Sequence, residues 1–303
     1  MSVHVREFHR DDREQLTALV NLHVSTVLPG VALSTNVVLN QLEREPGEII
    51  VDPWVEERRC LVAIADEAVV GAVLVHRFSG DERVGEGYRS AAEIRWLVFA
   101  PAAADAGRTL LRSAIELARG WDPTTIHALG SLPAPGCYGV PDSWPHVRQA
   151  LVDAGFVGPS RTELVVAARC EQLRGHRIEG ADVARSVGRL GTRIDLLVGG
   201  DSLGYIEFGE ADMALARSSS GAGWTDIGNL FPTDPDSSTT VMPALLSAAA
   251  DWLSLGGVDR LIDYYAADVH EPEYLAILSR LGFERLSTNE RGWELIPPFS
   301  VDR

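Results

Sequence analysis

Two short landmarks recur along the chain at long spacing. Leu110-Leu111 return as Leu245-Leu246, 135 residues on, and Gly155-Phe156 return as Gly282-Phe283, 127 residues on. Around each landmark the order of patterns also repeats: an apolar strand, a loop, a helix, a strand, a helix and closing strands. Self-similarity of this kind marks a duplicated unit in which each copy builds its own core. The length agrees, since 303 residues is about twice the usual ~150 of a single domain. A hydrophobic fraction of 46% against 23% charged residues supplies the apolar material for two cores and argues against global disorder.

In the first copy, Val3–Phe8 reads as a strand and Asp11–His23 as an amphipathic helix, with Leu16, Leu19, Val20 and His23 at helical spacing. A second helix is expected around Thr35–Glu45, capped by Ser34 and closed by Pro46-Gly47. Cys60–Ala65 and Val69–Phe78 form a hairpin across Asp66-Glu67-Ala68. Then come a strand at Ala92–Phe99, a loop at Ala100–Ala106, a helix at Gly107–Arg119, a strand at Thr124–Leu129, a helix at Trp144–Ala154, and closing strands at Phe156 and Thr162–Ala168. The second copy offers strands Arg193–Val198, Leu203–Phe208 and Thr225–Leu230, a helix Pro243–Leu255, a strand Arg260–Tyr265 and a helix Glu271–Arg280. Between Arg169 and Arg193 there is room for only one short strand and one short helix, the latter around Asp182–Gly188, so the second copy is trimmed at its start.

The formal net charge of −16 repels polyanions and anionic membranes and attracts cations, which excludes nucleic acid and membrane surfaces as partners and suits an amine. Cys60, Cys137 and Cys170 have neither a CxxC pair nor a zinc spacing, so they are expected to be reduced thiols, with no metal site. The charged stretch His4–Arg13 is unlike a signal core, and no apolar run reaches the ~18 residues of a membrane span, so a cytoplasmic location is expected. Neither a GxGxxG after a strand nor a GxSxG occurs, which disfavours a dinucleotide dehydrogenase and a serine hydrolase.

Three stretches resemble the GNAT (N-acetyltransferase) superfamily. Ala92–Pro101 is similar to that family's fourth strand, with Phe99-Ala100-Pro101 at its close. The loop and helix that follow, through Gly107-Arg108-Thr109-Leu110-Leu111, resemble its cofactor loop. Leu151–Phe156 and Leu278–Phe283 are similar to the junction after its fourth helix. The resemblance implies an α/β fold of two tandem GNAT-like domains, each a mixed central sheet flanked by helices, spanning 1–170 and a shorter 171–303. It implies an acyltransferase that carries an acyl group, acetyl from acetyl-CoA, to an amine through a tetrahedral intermediate. The acceptor would be a small molecule or peptide amine, cationic in keeping with the charge, and a homodimer is compatible.

In that family a helix N-terminus holds the CoA diphosphate with its unpaired N–H groups. Carried onto this chain, the donor would touch Leu97, Val98 and Phe99 on the strand and Ala104, Ala106, Gly107, Arg108 and Thr109 on the loop and helix. The loop departs from the family pattern: Ala104 stands at the usual Arg or Gln, Thr109 replaces a glycine, and Asp105 adds a carboxylate. The second copy offers Ser237, Ser238, Thr239 and Thr240 before Pro243, which suits a first helical turn. The family's base is commonly a carboxylate on the fourth strand, a position matched by Glu93 and, in the second copy, by Asp226. Its usual acid, a tyrosine, is replaced by Leu151 and Leu278. Tyr138, in the Pro- and Gly-punctuated loop Leu132–Pro141, is the candidate acid, with Tyr264, Tyr265 and Tyr274 as alternatives and His127 and His146 as possible proton carriers. Trp54, Tyr88 and Trp96 with Asp81, Glu82 and Glu86 suit a cationic amine. Because both loops are degenerate, the competing expectation is a catalytically inactive GNAT-fold module that binds CoA, a small ligand or a protein.

Overall fold

The computed structural model describes residues 3–42, 54–209, 217–218 and 223–297. Strands β1 (His4–Glu7), β3 (Val55–Ala65), β4 (Ala68–Phe78), β5 (Ala92–Phe99) and β6 (Ile126–Ala128) form one sheet, antiparallel except for the parallel pair β5–β6. The β3–β4 hairpin turns on Asp66 and Glu67, both at positive φ (48° and 65°), which matches the right-handed twist of the flanking strands. Helices α1 (Arg13–Val27) and α2 (Thr35–Leu42) belong to this half, along with α3 (Ala104–Arg119) and α4 (Pro145–Asp153). Helix α3 buries Ala106, Leu110, Leu111, Ala114, Ile115 and Ala118 along one stripe. The expected end of α2 at Glu45 lies outside the described residues.

A second sheet holds, in spatial order, β7 (Val140–Pro141), β15 (Glu284–Arg291), β8 (Arg161–Arg169), β14 (Val258–Tyr265), β13 (Gly223–Pro232), β11 (Asp201–Phe208), β10 (Thr192–Val198) and β9 (Asp182–Val187). The small strands β2 (Val31–Ala32) and β12 (Arg217–Ser218) attach beside β13. Helices α5 (Cys170–Leu173), α6 (Ser238–Leu255) and α7 (Pro272–Arg280) complete this half. Only α5 precedes its first strand, so the trimming is real.

The two sheets exchange strands. β8 is the closing strand of the first copy yet lies between β15 and β14, while β16 (Trp293–Leu295) returns from near the chain's end to pair with β6 in the first sheet. The run Leu164–Ala168 explains the crossing. Val165 and Ala167 pack in the first core and Val166 and Ala168 in the second, because alternate side chains of a strand face opposite ways. A strand buried on both faces reads as an unbroken apolar run.

Three expected elements differ. α3 starts at Ala104, three residues before its expected start, so Gly107 lies inside its first turns instead of opening it. α6 starts at Ser238, so Pro243 sits in the helix interior; the turn before it, capped by the Asp234 side chain on Asp236 N–H, lets the hydroxyl-rich stretch become helical. Asp182–Val187 is the edge strand β9 and not a helix, because pairing along β10 outweighs its weak local pattern.

Candidate functional site

Each half carries a bulged strand with a buried carboxylate two residues before the bulge. On β5, Leu74 pairs with Trp96 and Val75 with Ile94, which leaves Arg95 as the extra residue. On β13, Glu207 pairs with Asn229 and Phe208 with Ile227, which leaves Gly228. A bulge bends its strand and re-aims the side chains around it. Glu93 and Asp226 therefore hold equivalent places, 1% and 8% exposed.

The halves differ beyond the bulge. In the first, β5 and β6 pair from Ala92 to Ile94, and the chain stays bonded past that point: Leu129 N donates to Ile94 O at 3.0 Å and Ser131 N to Arg95 O at 2.8 Å. The end of β5 is then filled by side chains. The Phe99 ring meets His146 edge-on at 4.8 Å, His146 Nε2 lies 3.2 Å from His23 Nε2, and Trp144 Nε1 donates to Thr26 Oγ1 at 2.9 Å. Burial pushes His23 down to about 4 and lowers His146 as well.

Leu97, Val98 and Phe99 are core residues, Ala106 is buried, and a methyl placed on Gly107 would lie 2.5 Å from the Phe99 ring. Arg108 is paired with Asp105, and Thr109 Oγ1 donates to the Asp105 carbonyl at 2.8 Å. Ala104, half-buried, opens the helix and offers no side-chain donor. With its glycine packed, its arginine paired and a carboxylate in the first turn, this helix start does not fit a diphosphate.

Glu93 instead lines a cleft of about 310 Å³ with Trp54, His76, Phe78, Tyr88 and Arg95 among its walls. His76 Nδ1 stands 3.7 Å and Arg95 Nη1 3.6 Å from Glu93 Oε2. Tyr138 does not line this cleft. Its ring lies 5.9 Å from Tyr264, on the second half, and Asn289 Nδ2 fixes its loop by donating to the carbonyls of Gly136 (2.9 Å) and Tyr138 (2.8 Å). Trp96 is core, its Nε1 donating to Gln41 Oε1 at 2.9 Å. His127 lies 2.9 Å from Gly87 O and 3.4 Å from Glu294.

In the second half, β13 and β14 run parallel from Gly223–Val258 to Asp226–Ile262 and then part: β13 goes on bonded to β11 and β14 bonded to β8. At the fork, Tyr264 Oη donates to Asp226 Oδ2 at 2.8 Å and accepts from Gly136 N at 2.9 Å. Beside it, Asp263 accepts from Tyr274 Oη (2.5 Å) and Tyr264 N (2.8 Å), and burial pushes its carboxyl up to about 7. Burial also raises Tyr264 and Tyr274 well above the ordinary phenol value. Tyr265 stacks on His270 at 5.7 Å, away from the fork, as strand alternation requires.

A groove of about 330 Å³ runs between the first turns of α6, at Thr239, Thr240 and Pro243, the segment at His176 and Arg177, and Arg280 near the end of α7. Arg280 Nε donates to the Ala276 carbonyl at 3.3 Å, and Arg177 lies on the same groove wall. Hydroxyls at a helix start with guanidinium groups beside it have the chemistry that holds a diphosphate. These arginines were missed from sequence because Arg177 lies in the polar segment between copies and Arg280 closes a helix where a basic residue serves the dipole anyway.

The three cysteines are free and buried, with burial raising each thiol. Among the described residues no His, Cys, Asp or Glu group could hold a metal ion, and no helix is long and apolar enough to cross a membrane.

By sequence, no family model and no curated protein matches the chain. Among solved structures it is similar to a tandem GNAT protein from the clavulanic acid biosynthesis pathway, with a TM-score of 0.66 and 16% identity over 100% of both chains. It is similar to a GCN5-related N-acetyltransferase from Sphaerobacter thermophilus, with a TM-score of 0.60 and 12% identity over 97% of this chain and 95% of that one. A GCN5-related glucosamine N-acetyltransferase region of a fungal multi-domain GH3 beta-N-acetylglucosaminidase gives a TM-score of 0.64 and 14% identity over 96% of this chain and 38% of that one. Two bulged strands, two helix-flanked mixed sheets and a match along the whole length give this chain the tandem GNAT acetyltransferase fold.

Proposed function

We propose that the chain is an acyl-CoA-dependent N-acyltransferase whose donor site lies in the second half, with acetyl-CoA as donor and a small-molecule or peptide amine as acceptor. The observation that carries this reading is the fork between β13 and β14, which opens at a buried carboxylate. Fold alone does not assign a reaction, so the argument rests on that site.

When bound, the donor supplies an activated thioester. Thr239, Thr240, Arg177 and Arg280 would hold its diphosphate. Asp226, oriented by the Tyr264 hydroxyl, would take a proton from the acceptor's ammonium, directly or through water, so that the neutral amine attacks the thioester carbonyl. Tyr138, brought to Tyr264 from the first copy's loop, is the candidate acid for the leaving thiolate. The site is thus composite, with the base from one copy and the acid from the other. The net charge of −16 favours a cationic acceptor.

A non-catalytic reading has one observation in its favour: both hydrogen bonds of the Tyr264 hydroxyl are already made within the protein. Release of free CoA thiol from acetyl-CoA in the presence of spermidine, L-lysine or tyramine separates the two. Turnover should fall by roughly a hundredfold or more in Asp226→Asn. Donor binding with no thiol release on any amine would favour the silent module.

A further inference from the structure

We propose that the outer edge of β9 is an interface for a second copy of this chain, which adds its own β9 antiparallel across a two-fold axis and joins the two second-half sheets into one. The inference does not depend on acyl transfer.

β9 stands last in the second sheet, next to β10. Its outward groups follow from its register. Gly188 N donates to Gly191 O at 2.7 Å, and bonded and non-bonded pairs alternate from there. Asp182, Ala184 and Ser186 therefore bond to β10, while Val183, Arg185 and Val187 turn their N–H and C=O groups outward. Such an edge is a template for another strand, and natural edges are blunted by proline, a bulge or an outward charge. β9 has no proline, and its pairing with β10 runs without a register shift. Its arginine is drawn aside, with the Arg185 guanidinium 3.8 Å over the Trp252 ring of α6. What the edge shows instead is apolar: Val187 is 93% exposed and Val183 59%.

Self-complementarity selects a second copy as the occupant. Antiparallel pairing centred on Arg185 sets Val183 opposite the partner's Val187, and Val187 opposite the partner's Val183, with about six main-chain hydrogen bonds across the axis. Residues directly opposite share a face. For Val183 that face is the one turned to α6, where it lines a groove of about 260 Å³ with Leu196, Ala244 and Ala248. The partner's Val187 thus lies at the mouth of the groove, and the exposed valines cover one another. At each end of the paired stretch Asp182 comes beside the partner's Arg189, so opposite charges meet twice. The β9–β10 hairpin carries Arg185, Arg189 and Arg193 against Asp182 and Asp195, which frees this edge from the repulsion that a net charge of −16 sets between copies.

The test is analytical ultracentrifugation of the full chain between about 1 and about 100 µM, the range in which an interface of modest affinity is read. The wild-type chain should form a dimer. In Val187→Lys, at an exposed side chain, the dissociation constant should rise at least about tenfold, since the two-fold makes each substitution count twice. Asp182→Arg should weaken the dimer several-fold, and Asp182→Arg combined with Arg189→Asp should restore it. A monomer at every concentration would overturn the proposal, as would a dimer indifferent to Val187→Lys or a double variant no tighter than Asp182→Arg. Growth beyond the dimer would also overturn it, because the two-fold pairing uses up the edge.

Discussion

At the scale of single residues, Gly107 illustrates how a motif can persist while its job changes. A glycine near a helix start invites the reading of a phosphate loop, yet here the missing side chain lets α3 sit directly on the Phe99 ring. Gly107→Ala should therefore lower stability by about 1–3 kcal/mol through overpacking, measured as a shift in the urea midpoint, and leave acetyl-CoA affinity unchanged. Glu93 and Asp226 were both legible as strand carboxylates, and each stands two residues before the extra residue of a bulge. The partner of Tyr138 was not legible, because it comes from a strand 126 residues further on whose position depends on how the sheets exchange.

At the scale of elements, the contact between α1 and α4 includes His23 and His146, and burial lowers both imidazoles. The unfolded His23 takes a proton near pH 6.5, whereas in the folded chain it does so only near 4. Its neutral form therefore supports the fold above pH 6.5, and that support is lost as pH falls from 6.5 toward 4. Asp263 acts in the opposite sense. Its raised value means that the folded chain keeps a proton which the unfolded chain loses above about pH 4, so stability declines from about pH 4 to about 7. Urea midpoints should accordingly rise in Asp263→Asn relative to wild type more at pH 7.5 than at pH 5, and the acid-side loss should be shallower in His23→Gln. Equal differences at the two pH values would contradict the burial of Asp263 as a protonated group. The order of elements was readable from periodicity and turn residues. Their ends were less so: Asp182–Val187 has no alternation to announce a strand, since as an edge it is exposed on most of its length.

At the scale of the whole molecule, the exchange of β8 and β16 ties the two cores together. Trp293, 2% exposed, belongs to the first core although it lies near the chain's end. Trp293→Ala should cost about 3–5 kcal/mol and remove hydrogen-exchange protection from β6 before it affects β10 and β11. Wild-type chain should melt in one calorimetric transition, because neither sheet is complete without the other's strand. The duplication was visible from the repeated landmarks, but the exchange was not, since strand pattern reports which faces are buried and not which sheet receives the strand.

The central claim is that the donor site belongs to the second half. It is tested most directly by calorimetric titration with acetyl-CoA of the wild-type chain, Arg280→Glu and Arg108→Glu, one substitution at each of the two competing donor sites. The account predicts binding by the wild-type chain and by Arg108→Glu, and loss of binding in Arg280→Glu. Binding that survives in Arg280→Glu and disappears in Arg108→Glu would contradict it and return the donor to the first half.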